Sequence, residues 1–422
     1  MKIAGLLSNV WTRILSCTLL SVLAIGLMTV SESNQDFEQF AMDTYEFKGN
    51  RNTQKHIFVF LDGTKNTRKS ETNVRRLFEL IQKQNDPQIT AIYIEGVGSV
   101  FEAPLTGPAL GRGMEKRIIK AYNFIAENYS IGDNIYLFGF SRGAHQARSL
   151  AGLISYGGVL EISGIRKEQR EKVINGLIEL IKKKSDDSYI AQWRSWEPGQ
   201  SPLISLEIRD KLDVDAKTAE IAFLGVWDTV PGSSLKDFGV CKEHKGFIKR
   251  HLYWMVPGID KGERYKTDTY PPIRNVAHAV SIDEKRSKFT PLLICKAIKP
   301  QYSTVIEVWF PGAHADVGGG YEESEELPGI SLEWMIGEIN KTDIKITKPE
   351  LKGDAKGLAH WSIGDAPANI GSECVDRRPS TDAVIHASFE KRKEASPVPV
   401  LWQGKERLFN YPIDCVAAEG KK

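Results

Sequence analysis

The chain has 422 residues, 41% of them hydrophobic and 26% charged, with a formal net charge of +2 at pH 7. Those proportions are ordinary for a soluble globular protein, and the length suffices for one large α/β domain with insertions or for two or three small domains. So small a net charge makes no electrostatic case for nucleic acid, no motif supplies one, and there is no fixed-period repeat or low-complexity tract.

Residues 14 to 30, ILSCTLLSVLAIGLMTV, carry no charge; Lys2 and Arg13 precede them, and Glu32 and Asp36 follow. A basic flank before an apolar core reads as a secretory signal or an uncleaved signal anchor. Seventeen helical residues would span ~26 Å, near the lower limit for a bilayer. The small residues of SES at 31 to 33 offer a cleavage site. The charge bias predicts that everything after residue 35 faces away from the cytoplasm, in the periplasm or anchored to a membrane facing it. The expected organisation is a signal or anchor over 1–33, a linker over 34–54 and one α/β domain over 55–422.

Buried-strand patterns follow in chain order: HIFVFLDGT (56–64), ITAIYIEGVGS (89–99), NIYLFGFS (134–141), EIAFLGVWDTV (220–230) and TVIEVWFPG (304–312). Helical periodicity lies between them, in NVRRLFELIQKQ (73–84) and MEKRIIKAYNFIAENY (114–129). Alternation of this kind predicts a mainly parallel sheet covered by helices on both faces, with sites at the carboxyl ends of its strands. Two excursions interrupt it. One, about 155–219, contains the basic amphipathic stretch RKEQREKVINGLIELIKKK, read as a solvated surface helix or a cap; the other, 232–276, contains HLYWMVPGI and DTYPPI. Past the apolar N-terminal stretch stand Cys241, Cys295, Cys374 and Cys415. An exported domain could pair them in three ways, and Cys295, inside LLICKAI, is expected to be a free buried thiol. No cysteine or histidine spacing suggests zinc, and no cofactor is expected.

Polar residues just after the strands are the candidates for chemistry. Gly139-Phe-Ser-Arg-Gly143 fits G-x-S-x-G, with a strand before Ser141 and helical spacing of Ala144, Ala147, Leu150, Ala151 and Ile154 after it. Such a turn projects a serine hydroxyl and aims free helix N–H groups at a reacting oxygen. A serine needs a base and a group to orient that base. His314, in the glycine-rich FPGAHADVGGGY, is the candidate base. Asp228, ending the strand in GVWDTV, is the preferred acid, and Asp316, two residues from His314, is the alternative. Oxyanion donors are expected from the N–H of Arg142 and from Gly63 and Thr64 in LDGTKN, a loop that Asp62 could anchor. His278 and His386 read as structural histidines, His145, one helical turn past Ser141, would point away, and His56, His244, His251 and His360 have no supporting context. The order Ser, Asp, His is the one an α/β hydrolase uses.

Together these residues resemble the α/β hydrolase domain of bacterial type VI secretion phospholipase effectors of the first lipase class. The resemblance rests on FLDGTKN with TNVRRL, GFSRGAHQARSLAGLI, GVWDTV, HAVSIDEKRSKFTP and VWFPGAHADVGGGY followed by SLEWM, in family order from about residue 55 to 340, with IHASFEKR near 385 as a closing segment. It implies a Ser141-Asp228-His314 esterase acting on phospholipid carboxylic esters at a membrane through an acyl-enzyme. A secretion apparatus or an immunity protein is the partner class it implies. Effectors delivered by such an apparatus are not expected to begin with an export signal, so an envelope enzyme of a Gram-negative bacterium is an equal reading of the chain. Two other readings stay open: a membrane-anchored binding protein that keeps the fold without turnover, and an esterase for non-lipid acyl substrates.

Overall fold

Runs such as His56–Leu61 and Asn134–Phe140 are β-branched, aliphatic or aromatic at nearly every position, which suits strands covered on both faces. Every residue of both runs is buried. The computed structural model describes residues 40–46, 48–49, 53–98, 107–184, 186–231, 269–363 and 373–415. In chain order its core elements are β1 (Met42–Tyr45), β2 (His56–Leu61), α1 (Asn73–Gln84), β3 (Ile89–Ile94), α2 (Gly107–Asn128), β4 (Asn134–Phe140) and α3 (Arg142–Gly157). The first excursion follows as β5 (Val159–Leu160), α4 (Lys167–Lys182), α5 (Asp186–Ser195), α6 (Ser205–Leu212) and β6 (Ala216–Lys217). The chain then forms β7 (Ile221–Trp227), β8 (Asn275–Ser281), β9 (Thr304–Phe310), α7 (His314–Gly318) and α8 (Glu326–Ile339). It closes with β10 (Ala359–His360), β11 (Val384–Ile385), α9 (Ser388–Glu394), β12 (Val398–Trp402) and β13 (Lys405–Phe409).

The central sheet runs β1-β3-β2-β4-β7-β8-β9-β11. Only β1 is antiparallel to its neighbour; the other pairings are parallel. This is the α/β hydrolase arrangement expected from the alternating pattern. Two apolar layers cover it: Phe58, Phe60, Tyr136 and Phe138 face α1 and α8, while Ile57, Val59, Ile135 and Leu137 face α2 and α3. On the first face Phe58 and Tyr136 stack at 4.4 Å and Phe60 and Phe138 at 5.2 Å, and each such buried ring contributes about 1.5–3 kcal/mol by leaving water.

The register matters most for function. Leu61 pairs with Gly139, Phe140 with Trp227, Trp227 with Ala279 and Ser281 with Phe310. Those strands therefore end along one rim. Because β3 lies on one side of β2 and β4 on the other, the strand order switches between β2 and β4, and in such sheets the crevice for a ligand lies at the carboxyl ends of that pair.

Some expectations require correction. Residues 42–45 of the supposed 34–54 linker form β1, whose Met42–Tyr45 backbone pairs with Ile94–Ala91 and covers the edge of β3. NVAHAVS, which was not among the expected strands, is the buried β8; its polar Asn275, His278 and Ser281 mask the strand pattern, and two of them are satisfied inside the sheet. Cys295 is disulfide-bonded rather than free, and Cys374 pairs with Cys415. An apolar neighbourhood protects a thiol and a disulfide equally, so LLICKAI could not separate the two. The basic helix α4 buries Ile174, Leu177, Ile178, Leu180 and Ile181 in the main core and packs over α2 and α3, where Lys182 pairs with Glu115 of α2. The apolar stretch 14–30 and residues 232–268 of the second excursion lie outside the described residues. No helix among the described residues is long and apolar enough to cross a membrane.

Candidate active site

At the end of β4 the chain must turn from strand to helix within one residue. Ser141 takes φ 58° and ψ −121° to do so, a conformation rare for any residue with a side chain and typical of functional strain. The flanking glycines follow from backbone crowding. A Cβ at Gly139 would stand 2.4 Å from the Gly143 carbonyl oxygen, and one at Gly143 would stand 2.1 Å from that of Leu61. The bend is fixed from β7 as well: Ser141 N donates to Trp227 O at 3.0 Å, and Val230 N donates to Ser141 O at 3.2 Å. The Ser141 hydroxyl makes no capping bond to α3.

The same brackets bring Asp228 alongside, with φ 34° and no solvent exposure. Its Oδ1 accepts from Ser281 N at 3.0 Å and Arg377 Nη1 at 2.6 Å; its Oδ2 accepts from Arg377 Nη2 at 3.1 Å and His314 Nδ1 at 2.5 Å. Burial works to raise its pKa, but the Arg377 charge and the His314 bond outweigh burial and hold the carboxyl well below the usual range. Asp228 is therefore a carboxylate at neutral pH.

His314 opens α7. Its ring packs on Phe140 at 4.6 Å and meets the edge of Phe289 at 5.0 Å, and the His314 backbone N–H donates to Glu284 Oε2 at 3.2 Å. Burial pushes the imidazole pKa below its ordinary value despite the neighbouring carboxylate, so the ring is neutral near pH 7. With Nδ1 bonded to Asp228, the lone pair falls on Nε2. The glycine-rich stretch is thus a short helix at its start rather than a loop, because Asp316 Oδ2 caps it by accepting from Ala313 N at 2.8 Å. Gly318 lets the helix close on the elbow, since a Cβ there would stand 2.1 Å from the Phe140 ring.

The loop after β2 faces Ser141 across the crevice, where a Cβ on Gly63 would approach Ser141 Cβ to 3.3 Å. Asp62 organises that loop. Its buried carboxyl accepts from Gly63 N at 2.7 Å, Asn66 Nδ2 at 3.2 Å, Thr72 Oγ1 at 2.7 Å and Tyr93 Oη at 2.7 Å. Burial nonetheless pushes its pKa up to about 6. The Gly63 N–H is consequently occupied, which corrects its expected place among the oxyanion donors. Thr64 remains, with its hydroxyl accepting from Arg142 Nη1 at 2.7 Å, and the Arg142 N–H stands at the first position of α3, where no intrahelical carbonyl precedes it.

Asp228 and His314 are thus bonded directly, and Ser141 adjoins both through Trp227, Val230 and Phe140. Among the described residues the Ser141 hydroxyl and His314 Nε2 do not hydrogen-bond; a catalytic contact is often loose before substrate arrives. Asp316 does not reach His314 Nδ1. It accepts from His360 N at 2.9 Å and His360 Nδ1 at 2.6 Å, joining α7 to β10. His278 bonds Glu307 at 2.9 Å and Thr229 at 3.2 Å, and His386 bonds Ser388 at 2.9 Å, structural satisfaction in both cases. Sequence reasoning missed Arg377, Glu284 and Phe289. Nothing in the local pattern around Arg377 marks it, whereas HAVSIDEKRSKFTP, quoted for its resemblance, contains both Glu284 and Phe289. No group of three or more His, Cys, Asp or Glu side chains among the described residues could hold a metal ion.

The family described as "T6SS, Phospholipase effector Tle1-like, catalytic domain" matches residues 55–338. The chain belongs to that family. Its Tle1-like domain runs from β2 through most of α8 and so contains the elbow, Asp228 and His314, while Arg377 lies beyond it. An uncharacterised protein of Saccharomyces cerevisiae is 25% identical over 433 residues, 74% of this chain and 60% of that one. The chain therefore spans about 60% of this curated relative's length. An uncharacterised protein from Pseudomonas aeruginosa is similar in structure at TM-score 0.35 and 18% identity, over 71% of this chain and 47% of that one. A Tle1 effector, solved bound to the VgrG spike of a type 6 secretion system, is similar at TM-score 0.30 and 18% identity, over 68% of this chain and 58% of that one.

Proposed function

We propose that the protein is a serine esterase that cleaves carboxylic esters of membrane phospholipids, with Ser141 as nucleophile, His314 as base and Asp228 as the acid that orients it. The observation that carries this reading is the 2.5 Å bond from His314 Nδ1 to Asp228 beside a serine held at positive φ. Membership of a phospholipase-effector family supports the substrate class.

The reaction follows from the groups in place. His314 Nε2 takes the Ser141 proton as Oγ attacks the ester carbonyl, and the Asp228 carboxylate stabilises the imidazolium that forms. The N–H groups of Thr64 and Arg142 are the donors proposed for the oxyanion. Collapse breaks the acyl C–O bond, and the imidazolium gives its proton to the departing lysophospholipid alcohol. Water, deprotonated by His314, then attacks the acyl-enzyme and releases fatty acid, and Ser141 recovers its proton. The uncharged stretch after Lys2 and Arg13 supports an exported site of action.

Lipid mass spectrometry of phosphatidylethanolamine–phosphatidylglycerol vesicles tests the substrate. Wild type is expected to produce free fatty acid and lysophospholipid in equal amounts, and Ser141→Ala neither. Hydrolysis of short soluble esters with no release from vesicles would replace phospholipid with a non-lipid acyl substrate.

A further inference from the structure

The Arg377 side chain is 7% exposed, and it approaches the site from a segment outside the family-matched region. Its guanidinium does more than neutralise Asp228. Nη1 donates to Asp228 Oδ1 at 2.6 Å and to Ser281 O at 2.8 Å; Nη2 donates to Asp228 Oδ2 at 3.1 Å and to the Phe289 carbonyl oxygen. One planar fork therefore grips both carboxylate oxygens and the backbone of the phenylalanine that flanks His314.

The segment that delivers Arg377 is held along residues 285–287. Val375 N donates to Lys285 O at 2.9 Å, Ser287 N to Glu373 O at 3.1 Å, and Lys285 Nζ to Asp376 Oδ1 at 2.9 Å. Three residues before Arg377, Cys374 is bonded to Cys415, whose N–H donates to Asp376 Oδ1 at 3.2 Å. The disulfide thus fastens this segment to the chain's last described residues. Besides the disulfide, the segment is held by these bonds, by Glu373 N donating to Ser287 Oγ at 3.1 Å and, seven residues on, by the pairing of β11 with β9.

We propose that Arg377 is a positioning residue for the Asp228–His314 pair and that the Cys374–Cys415 disulfide holds it there, so that turnover depends on the redox state of this bond. The inference rests on the serine-esterase reading. Arg377 touches no reacting atom; it fixes the carboxylate plane so that Oδ2 meets Nδ1, and it withholds part of the carboxylate's field from the imidazole. The charged groups facing His314 are Asp228, Glu284 and Arg286, and Glu284 is occupied by Arg286 through two side-chain bonds of 2.8 Å.

The test uses the full chain, p-nitrophenyl butyrate and a fluorophosphonate probe. Arg377→Gln is expected to lower kcat on the order of 10- to 100-fold with KM nearly unchanged, as a small misplacement of catalytic groups does. Loss of the cation exposes His314 to the whole Asp228 charge, favours imidazolium and moves the acidic limb of kcat/KM up by roughly one pH unit. A purely structural role would reduce the labelled fraction and leave the limb where it was. Arg377→Lys, which restores charge without the fork, is expected to recover the limb position and part of kcat. Because Cys295 is also disulfide-bonded, the redox arm uses Cys374→Ser/Cys415→Ser rather than a reductant. That pair is expected to lower kcat and shift the limb in the same direction, with little further loss when Arg377→Gln is added. Folded Arg377→Gln with wild-type kcat and limb would overturn the proposal. If Arg377→Gln does not fold, a folded disulfide variant with wild-type kcat and limb overturns it instead. Failure of wild type itself to react with the probe would strike the serine-esterase reading, whereas a labelled wild type with an indifferent Arg377→Gln would strike this inference alone.

Discussion

The two aspartates near His314 differ in what surrounds them, and this difference separates their roles. Asp228 is held as an anion by Arg377 and presents Oδ2 to Nδ1, whereas Asp316 spends its oxygens on a helix cap and on His360. Asp228→Asn would let the amide face Nδ1 in the wrong protonation sense and leave Arg377 without its counter-charge. Loss of kcat on the order of 10⁴-fold is expected, as when an orienting carboxylate is removed from such a triad. Asp316→Asn is expected to lower the melting temperature while kcat stays within several-fold of wild type. Kinetics on p-nitrophenyl butyrate with parallel thermal denaturation checks both, and the opposite ranking of kcat values would move the acid to Asp316. Both aspartates were legible as candidates because each closely follows a buried strand. Short spacing to His314 already disfavours Asp316 in the sequence, but the partners that fix each carboxylate, Arg377 and His360, are distant in sequence and carry no motif.

At the scale of elements, the elbow is a packing solution as well as the proposed site of the nucleophile. α3 enters so close to β2 that Gly143 has no room for a methyl group between itself and the carbonyls of Leu61 and Asp62, at 2.1 and 2.5 Å. Gly143→Ala must therefore push α3 off the sheet or displace the loop that carries Thr64. The expected cost is about 3 kcal/mol, with esterase activity lost in whatever remains folded. Denaturant unfolding followed by probe labelling measures the two effects, and a variant of wild-type stability would show that the close approach is not needed. The motif announced this geometry in advance, since strand, G-x-S-x-G and helix permit few other arrangements. β8 was harder to see: Asn275, His278 and Ser281 interrupt its apolar run, and only the structure shows their partners, the Ala222 carbonyl oxygen, Glu307 and the Gly312 carbonyl oxygen.

For the whole molecule, the sheet gathers residues 62, 141, 228 and 314 onto one rim because β2, β4, β7 and β9 run parallel and end level. Alternating strand and helix patterns made that much readable from the chain. The region after residue 339 was not readable. There β10, β12 and β13 form a separate small sheet over Trp361, Trp402 and Phe409, and strands of two to five residues leave little periodicity. This part nonetheless reaches the site, through His360 on Asp316 and through Arg377 on Asp228. The most direct measurement is covalent labelling of the purified, folded chain at neutral pH with a fluorophosphonate, read by intact-mass spectrometry. One adduct on wild type, mapped to Ser141 and missing from Ser141→Ala, is the expected result. A wild-type protein that stays unmodified, or one that Ser141→Ala matches, would contradict nucleophilic catalysis at this elbow.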